Sequence, residues 1–202
     1  MKVIGFSAWS GAGKTTLVER LLVRLRETGQ RVSVVKHAHH DFDIDHPGKD
    51  SYRHRKAGAF EVVIASNRRL AKIREFESPT EPTVHQLIAE LCDCDWVLVE
   101  GFKHANLLKI EVWRGQVGKK VHYPEDPFVV AIATDSASQL PVATRLPVFD
   151  LNDIDSIASF LLENSARYEY TAEPDFDSDT SDTGDNGETA DAVARRRAAA
   201  AA

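Results

Sequence analysis

KVIGFSAWSGAGKTTLVERLLVRLRETG, residues 2–29, is the stretch that decides the fold. Its first seven residues, KVIGFSA, form a compact apolar run bounded by small residues, which predicts a buried strand. From Lys14 to Glu27 the pattern changes to helical spacing. Leu17, Val18, Leu21, Leu22 and Leu25 fall on one stripe, and Gly29 supplies a stop just past the end. Between strand and helix lies AWSGAGKTT, residues 8–16. It follows the phosphate-loop pattern G-x-x-x-x-G-K-[ST], with Ala8 in place of the first glycine. Gly11 and Gly13 permit positive φ, so successive N–H groups can turn into one anion-sized hollow. The helix start adds its own partial positive charge. On this reading Gly11, Ala12, Gly13, Lys14, Thr15 and Thr16 bind a nucleotide's phosphates. Lys14 reaches the β- and γ-phosphates, the Thr15 hydroxyl binds Mg²⁺ and Thr16 sits near the α-phosphate. A chance glycine-rich turn is the competing explanation, and the strand–loop–helix context argues against it.

Outward from this unit the chain alternates strands and helices. Strands are expected at 31–36, 60–66, 70–76, 96–101, 109–115 and 128–134. Helices are expected from Asp50, over Thr83–Leu91 with Thr80 or Thr83 as N-cap, and over Asp155–Asn164. Such alternation means an α/β fold of phosphate-loop NTPase type, with a mainly parallel central sheet flanked by helices. Short connections around Asn67 and Arg114 predict some antiparallel strand pairs as well. The body is expected to span 1–168.

Residues 169–202 are expected to form an acidic, disordered tail. From Thr171 onward there are eight acids and three arginines among almost no large apolar residues, too little to offset ordering entropy. The rest of the chain is then close to neutral, which argues against a general nucleic-acid binder. No apolar run is long enough to span a membrane, and the N-terminus reads as a strand and not as a signal peptide. With only Cys92 and Cys94, in a CxC spacing poor for a local bridge, a reducing cytoplasm is the expected compartment. The bland reading of the two thiols is the buried end of a helix and a turn.

A phosphate-loop protein needs a carboxylate at the end of a second apolar strand to hold Mg²⁺, directly or through water. Asp-Trp-Val-Leu-Val-Glu, residues 95–100, offers Glu100, so Thr15 and Glu100 are the expected metal ligands. An ordinary strand-end acid is the alternative. The segment 35–59 holds five of the eight histidines (His37, His39, His40, His46 and His54) together with Asp41, Asp43, Asp45 and Asp50. Three readings stand for it. It is a nucleotide-sensing switch with Asp41 or Asp45 near the metal or the attacking water, a transition-metal site, or a polar loop. Asp135, at the end of the apolar strand FVVAIAT, could accept hydrogen bonds from guanine N1–H and N2–H₂, or act as a turn residue.

Taken together, FSAWSGAGKTTLVERLL, VVKHAHHDFDIDHPGKDSYRHRKAGA and DWVLVEGFKH resemble the molybdopterin-guanine dinucleotide biosynthesis protein B (MobB) family over residues 1–165. The resemblance implies a GTP-binding protein with weak GTPase activity, usually a homodimer. It would assist the guanylyltransferase that attaches GMP to molybdopterin, giving the guanine dinucleotide form of the molybdenum cofactor. The implied ligands are GTP and Mg²⁺, and the implied partners are that enzyme and molybdopterin itself. The family's nucleotide positions map to residues 11–16, its LVEGFK acid to Glu100 and its HHD acid to Asp41. Lys14, Asp41 and Glu100 are then the candidate catalytic residues. The acidic tail is outside the family pattern.

Hydrolysis is expected to be slow, because no water-orienting Gln is evident. Arg53 and Arg55 could act as arginine fingers across a dimer, or simply line a solvated helix face. Two rival functions remain. One is a small-molecule kinase with Arg68, Arg69 and Arg74 in a lid, and the other a GTP-dependent metallochaperone binding its ion through His39 and His40.

Overall fold

The computed structural model describes residues 1–38 and 42–171. His39, His40, Asp41 and the acidic tail from Ala172 lie outside the described residues. Contacts divide the chain into two compact units, one comprising 1–37 with the chain from Val84 onward, the other Ala38–Thr83.

The first unit is built on β1 (Lys2–Ala8), β2 (Val32–Lys36), β5 (Trp96–Glu100), β6 (Lys109–Trp113), β7 (Val129–Thr134) and β8 (Val148–Asp150). Strand order across the sheet is β2-β5-β1-β6-β7-β8, and every pair is parallel. Helices α1 (Lys14–Glu27), α3 (Val84–Ala89) and α4 (Ile154–Glu163) belong to this unit. The helical stripe read from the sequence is the buried one: Leu17, Val18, Leu21 and Leu25. They pack with Ile4, Phe6, Trp96, Leu98, Ile110 and the α4 residues Ile157 and Leu161. The alternate residues of the same strands, Val3, Val97 and Val99, pack with Val35 and with Val84 and Ile88 of α3. A central parallel strand is covered on both faces, which is why WVLVE reads as an unbroken apolar run.

Helix ends follow local chemistry. The Asp153 side chain accepts from the Ser156 N–H at 3.1 Å and from its hydroxyl at 2.7 Å, capping α4 one residue earlier than expected. Helix α3 begins at Val84, which puts Thr83 in the cap position. Strand β8 is only three residues long and carries no periodic signal. At the far end of the chain Glu169 bridges to Lys2, and the Tyr170 N–H donates to the Met1 carbonyl at 2.9 Å. These residues, expected in the tail, are therefore tied to β1.

Two expectations are corrected. The connection at Arg114 does not turn back into an antiparallel pair. Residues 114–128 form a crossover long enough to bring β7 in parallel to β6. Cys92 is exposed and Cys94 half-buried, and both thiols are free. Among the described residues no helix is long and apolar enough to cross a membrane.

KIEVW, the sequence of β6, alternates charged and apolar residues, yet all five are buried. The charges survive because backbone groups and one carboxylate satisfy them. The Lys109 Nζ donates to the carbonyls of Lys103 and Ala105, each at 2.8 Å, and to Asp126 at 3.0 Å. The Glu111 carboxylate accepts from the N–H groups of His122 and Tyr123 at 2.7–3.0 Å. Burial pushes the Glu111 carboxyl above the usual carboxylate range, against the pull of those donors.

The second unit holds α2 (Asp50–Lys56) and the antiparallel pair β3 (Glu61–Ala65) and β4 (Leu70–Arg74), as the short turn at Asn67 predicts. Ser66 organises the turn, its hydroxyl accepting from the N–H groups of Arg68 and Arg69. Arg55 is bound by Glu75 at 2.6 Å, Asp45 at 3.2 Å and Asp43 at 3.3 Å, with its side chain only 11% exposed.

Leu98 is fully buried at the middle of β5. Leu98→Ala is expected to lower stability by about 2–5 kcal/mol, read as a shift of the urea midpoint with little change in slope.

Candidate nucleotide-binding site

The loop between β1 and α1 has the backbone that its glycines allow. Gly11 and Gly13 take φ of +81° and +89°. Ala12 is buried beneath them, and its N–H donates to the Trp9 carbonyl at 3.2 Å. Gly13 occupies the cap position of α1. No side chain caps the helix there, and no acid lies in its first turn. The first N–H groups of a helix have no partner within it, so this end is open to water or to an anion.

Glu100 meets the loop from β5, the neighbour of β1. The Thr15 hydroxyl donates to Glu100 Oε1 at 2.6 Å. Lys36, last residue of β2, places its ammonium 3.9 Å from the same oxygen. The Glu100 residue is 7% exposed, so a nearly buried carboxylate meets one hydroxyl and the ammonium of an exposed lysine. Lys14 stands alongside. Burial pushes its ammonium below the usual lysine range, the Glu100 charge opposes that, and the Lys36 charge adds to it.

The chain leaves Glu100 by a turn that only glycine fits. Gly101 has φ of +100°, and a Cβ there would lie 2.8 Å from the Cβ of His37. Phe102 also has positive φ, 50°, and its ring stacks on His37 with centroids 4.7 Å apart. The His37 N–H donates to the Glu100 carbonyl at 3.0 Å. The ends of β2 and β5 are thus fastened where the carboxylate is presented.

On the other side of β1, Arg114 follows β6. Its guanidinium lies against Gly13, where a Cβ would meet Nη2 at 3.2 Å and Cζ at 3.4 Å. Its Nε is 3.5 Å from Asp135, the residue after β7. Trp9 of the loop donates its indole N–H to the Lys120 carbonyl at 2.7 Å and stacks on His122, with the Lys103 ammonium 4.5 Å from the ring centroid.

Of the residues picked out in the sequence, the fold brings together Gly11, Ala12, Gly13, Lys14, Thr15, Thr16 and Glu100. Asp135 faces Arg114. Asp41 lies outside the described residues. Lys36 and Arg114 were not among the candidates. Each directly follows or ends an apolar strand, the one signal that could have found them. Arg55, read as a finger or a solvated helix face, is neither solvated nor free, since three carboxylates hold it. Among the described residues no group of three His, Cys, Asp or Glu side chains could hold a metal by itself.

The Lys14 environment carries a pH prediction. An ammonium binds phosphate only while protonated, so affinity falls as pH rises through its pKa. Glu100→Gln removes the charge that holds that pKa up. The alkaline midpoint for binding inorganic pyrophosphate without Mg²⁺ should therefore be lower in Glu100→Gln than in the unaltered chain. An unchanged midpoint would separate Lys14 from Glu100.

The family model for molybdopterin guanine dinucleotide synthesis protein B, MobB, matches residues 3–135. The molybdopterin-guanine dinucleotide biosynthesis adapter protein of Escherichia coli (strain K12) is 42% identical over 168 residues, covering 80% of this chain and 91% of that protein. The protein of the same description from Haemophilus influenzae is 37% identical over 160 residues, 79% and 86% of the two chains. A crystal structure of molybdopterin-guanine biosynthesis protein B shares 28% identity with a TM-score of 0.59, covering 80% of this chain and 98% of that one. The MobB structure from Bacillus subtilis, 22% identical with a TM-score of 0.61 over 81% and 97% of the chains, shares the fold. With the family match extending over most of the sequence and these relatives covering nearly their whole length, this chain belongs to the MobB family.

Proposed function

We propose that this chain is an adapter in the formation of molybdopterin guanine dinucleotide, and that it binds Mg·GTP on residues 11–16. Family membership supports the pathway. The observation that supports the ligand is the uncapped start of α1, where Gly11 and Gly13 take positive φ beside Lys14. A polyanion supplies what that helix end lacks.

The residues also fit a divalent cation. Thr15 and Glu100 already meet at 2.6 Å, so two oxygen ligands are gathered before any ion arrives. In this reading Thr15 and Glu100 hold Mg²⁺, which neutralises phosphate charge. Lys14 takes charge on the β- and γ-phosphates, and Thr16 binds near the α-phosphate. GTP turnover is slow. The chain works as a homodimer whose nucleotide state alters its grip on the guanylyltransferase, with molybdopterin as a second candidate ligand of the complex.

The test is a calorimetric titration with GTP and with ATP, both with Mg²⁺. GTP should bind in preference to ATP, and Lys14→Ala should weaken it by at least about tenfold. The nucleotide should also change the affinity for a purified molybdenum cofactor guanylyltransferase. Preference for ATP overturns the guanine assignment and favours a kinase. Unaltered affinity in Lys14→Ala overturns the phosphate-loop assignment.

A further inference from the structure

The side of the phosphate loop away from Glu100 carries a cation that the phosphate-loop pattern does not include. Arg114 leaves β6 directly beside β1, and its guanidinium packs where Gly13 has no side chain. A residue with a Cβ at 13 would have to displace it, since the Nη2, Cζ and Nε atoms all lie within 3.6 Å of that position. Arg114 is half-buried, with its side chain 34% exposed. Its Nε is buried and makes no hydrogen bond. Asp135 approaches it to 3.5 Å, close enough for an ion pair and outside hydrogen-bond geometry. The guanidinium is therefore held in place by one carboxylate that does not use up its donors. Arginine carries five N–H donors in a planar fork matched to phosphate oxygens. A fork lying against the N-terminal residue of α1 adds a side-chain cation to the backbone donors there.

We propose that Arg114 is a nucleotide-binding residue that contacts the phosphate chain beside Gly13, and that Asp135 is its positioning residue and not a reader of the guanine base. This rests on the reading of residues 11–16 as a nucleotide site. It changes what specificity can be expected of Asp135. A carboxylate that reads guanine favours GTP over ATP, whereas one that orients Arg114 serves both nucleotides alike. The arrangement also divides the work at the loop. Glu100 and Lys36 lie on the β5 side with the cation ligands, and Arg114 and Asp135 lie on the β6–β7 side with the anion.

The experiment is a titration of Mg·GTP, Mg·GDP and Mg·ATP against the full chain and its variants Arg114→Gln, Arg114→Lys, Asp135→Asn and Arg114→Gln/Asp135→Asn. Lys14→Ala serves as the reference for loss of the loop. Arg114→Gln should weaken all three nucleotides by about tenfold, the size expected for losing a charge-assisted hydrogen bond. Arg114→Lys should recover part of that loss, because charge returns without the fork. Asp135→Asn should weaken GTP and ATP equally, and the double variant should be no worse than Arg114→Gln alone, as residues acting through one contact are not additive. Unfolding midpoints within a few degrees of the unaltered chain show that each variant folds. If Arg114→Gln misfolds, Arg114→Lys carries the comparison, and GTP affinity equal to the unaltered chain in that variant overturns the fork contact. Arg114→Gln binding like the unaltered chain while Lys14→Ala does not overturns the proposal and leaves the nucleotide site standing. Asp135→Asn losing GTP but keeping ATP assigns Asp135 to the base and overturns its positioning role. No binding of any nucleotide by the unaltered chain overturns both this proposal and the reading beneath it.

Discussion

A helix that starts without a cap constrains everything around it. Helix α1 has Gly13 as its cap residue, in the left-handed region, with no side-chain acceptor and no acid in its first turn. An exposed helix of ordinary design would satisfy those donors with Ser, Thr, Asp or Asn. Leaving them open has a thermodynamic cost that burial elsewhere must offset. Leu17, Val18, Leu21 and Leu25 supply it by seating α1 on the sheet. Lys14 adds a further cost. Its folded pKa is lowered, so the unfolded chain holds that proton more tightly, and the penalty is fully present below the folded pKa. It is relieved only as pH rises through the folded value. An anion bound at such a helix end would add stability by relieving these costs.

Strand order turns that local constraint into a site. Because β1 lies between β5 and β6, the glycine-rich loop after β1 is flanked on one side by Glu100 and on the other by Arg114. Parallel strands bring all their C-terminal ends to one edge, so the residues following β1, β2, β5, β6 and β7 gather there without any one loop being long. The turn after Glu100 shows how tightly that edge is packed. Gly101 and Phe102 both take positive φ, and His37 fills the space that a side chain at 101 would need.

The parts of this structure that were legible in the sequence are those whose signal is local. Gly11, Gly13 and Lys14 sit in a recognisable spacing, and the Leu stripe of α1 and the run WVLVE state their burial directly. Arg114 and Asp135 are twenty-one positions apart and meet only because β6 and β7 pair in parallel. Nothing local announces that pairing, and the short look of the chain at Arg114 suggests the opposite. Strand β8 is too short for a period to show. KIEVW misleads for a different reason, since alternating charge ordinarily marks a strand with one wet face. Its charged residues are satisfied by the backbone of the loops before and after the strand, and hydrogen bonding of that kind leaves no mark in the residue pattern.

Those two buried ions on β6 bear on how the surface can change over evolutionary time. Lys109 grips the carbonyls of residues 103 and 105, and Glu111 grips the amides of 122 and 123. Every non-proline residue offers the same two backbone groups. Apart from Asp126, whose carboxylate also holds Lys109, side chains along both loops can therefore drift without loosening these backbone contacts, while an inserted or deleted residue would carry the amides or carbonyls out of reach. Loops are usually where length varies most freely. Here the strand beneath them permits changes of composition and resists changes of length.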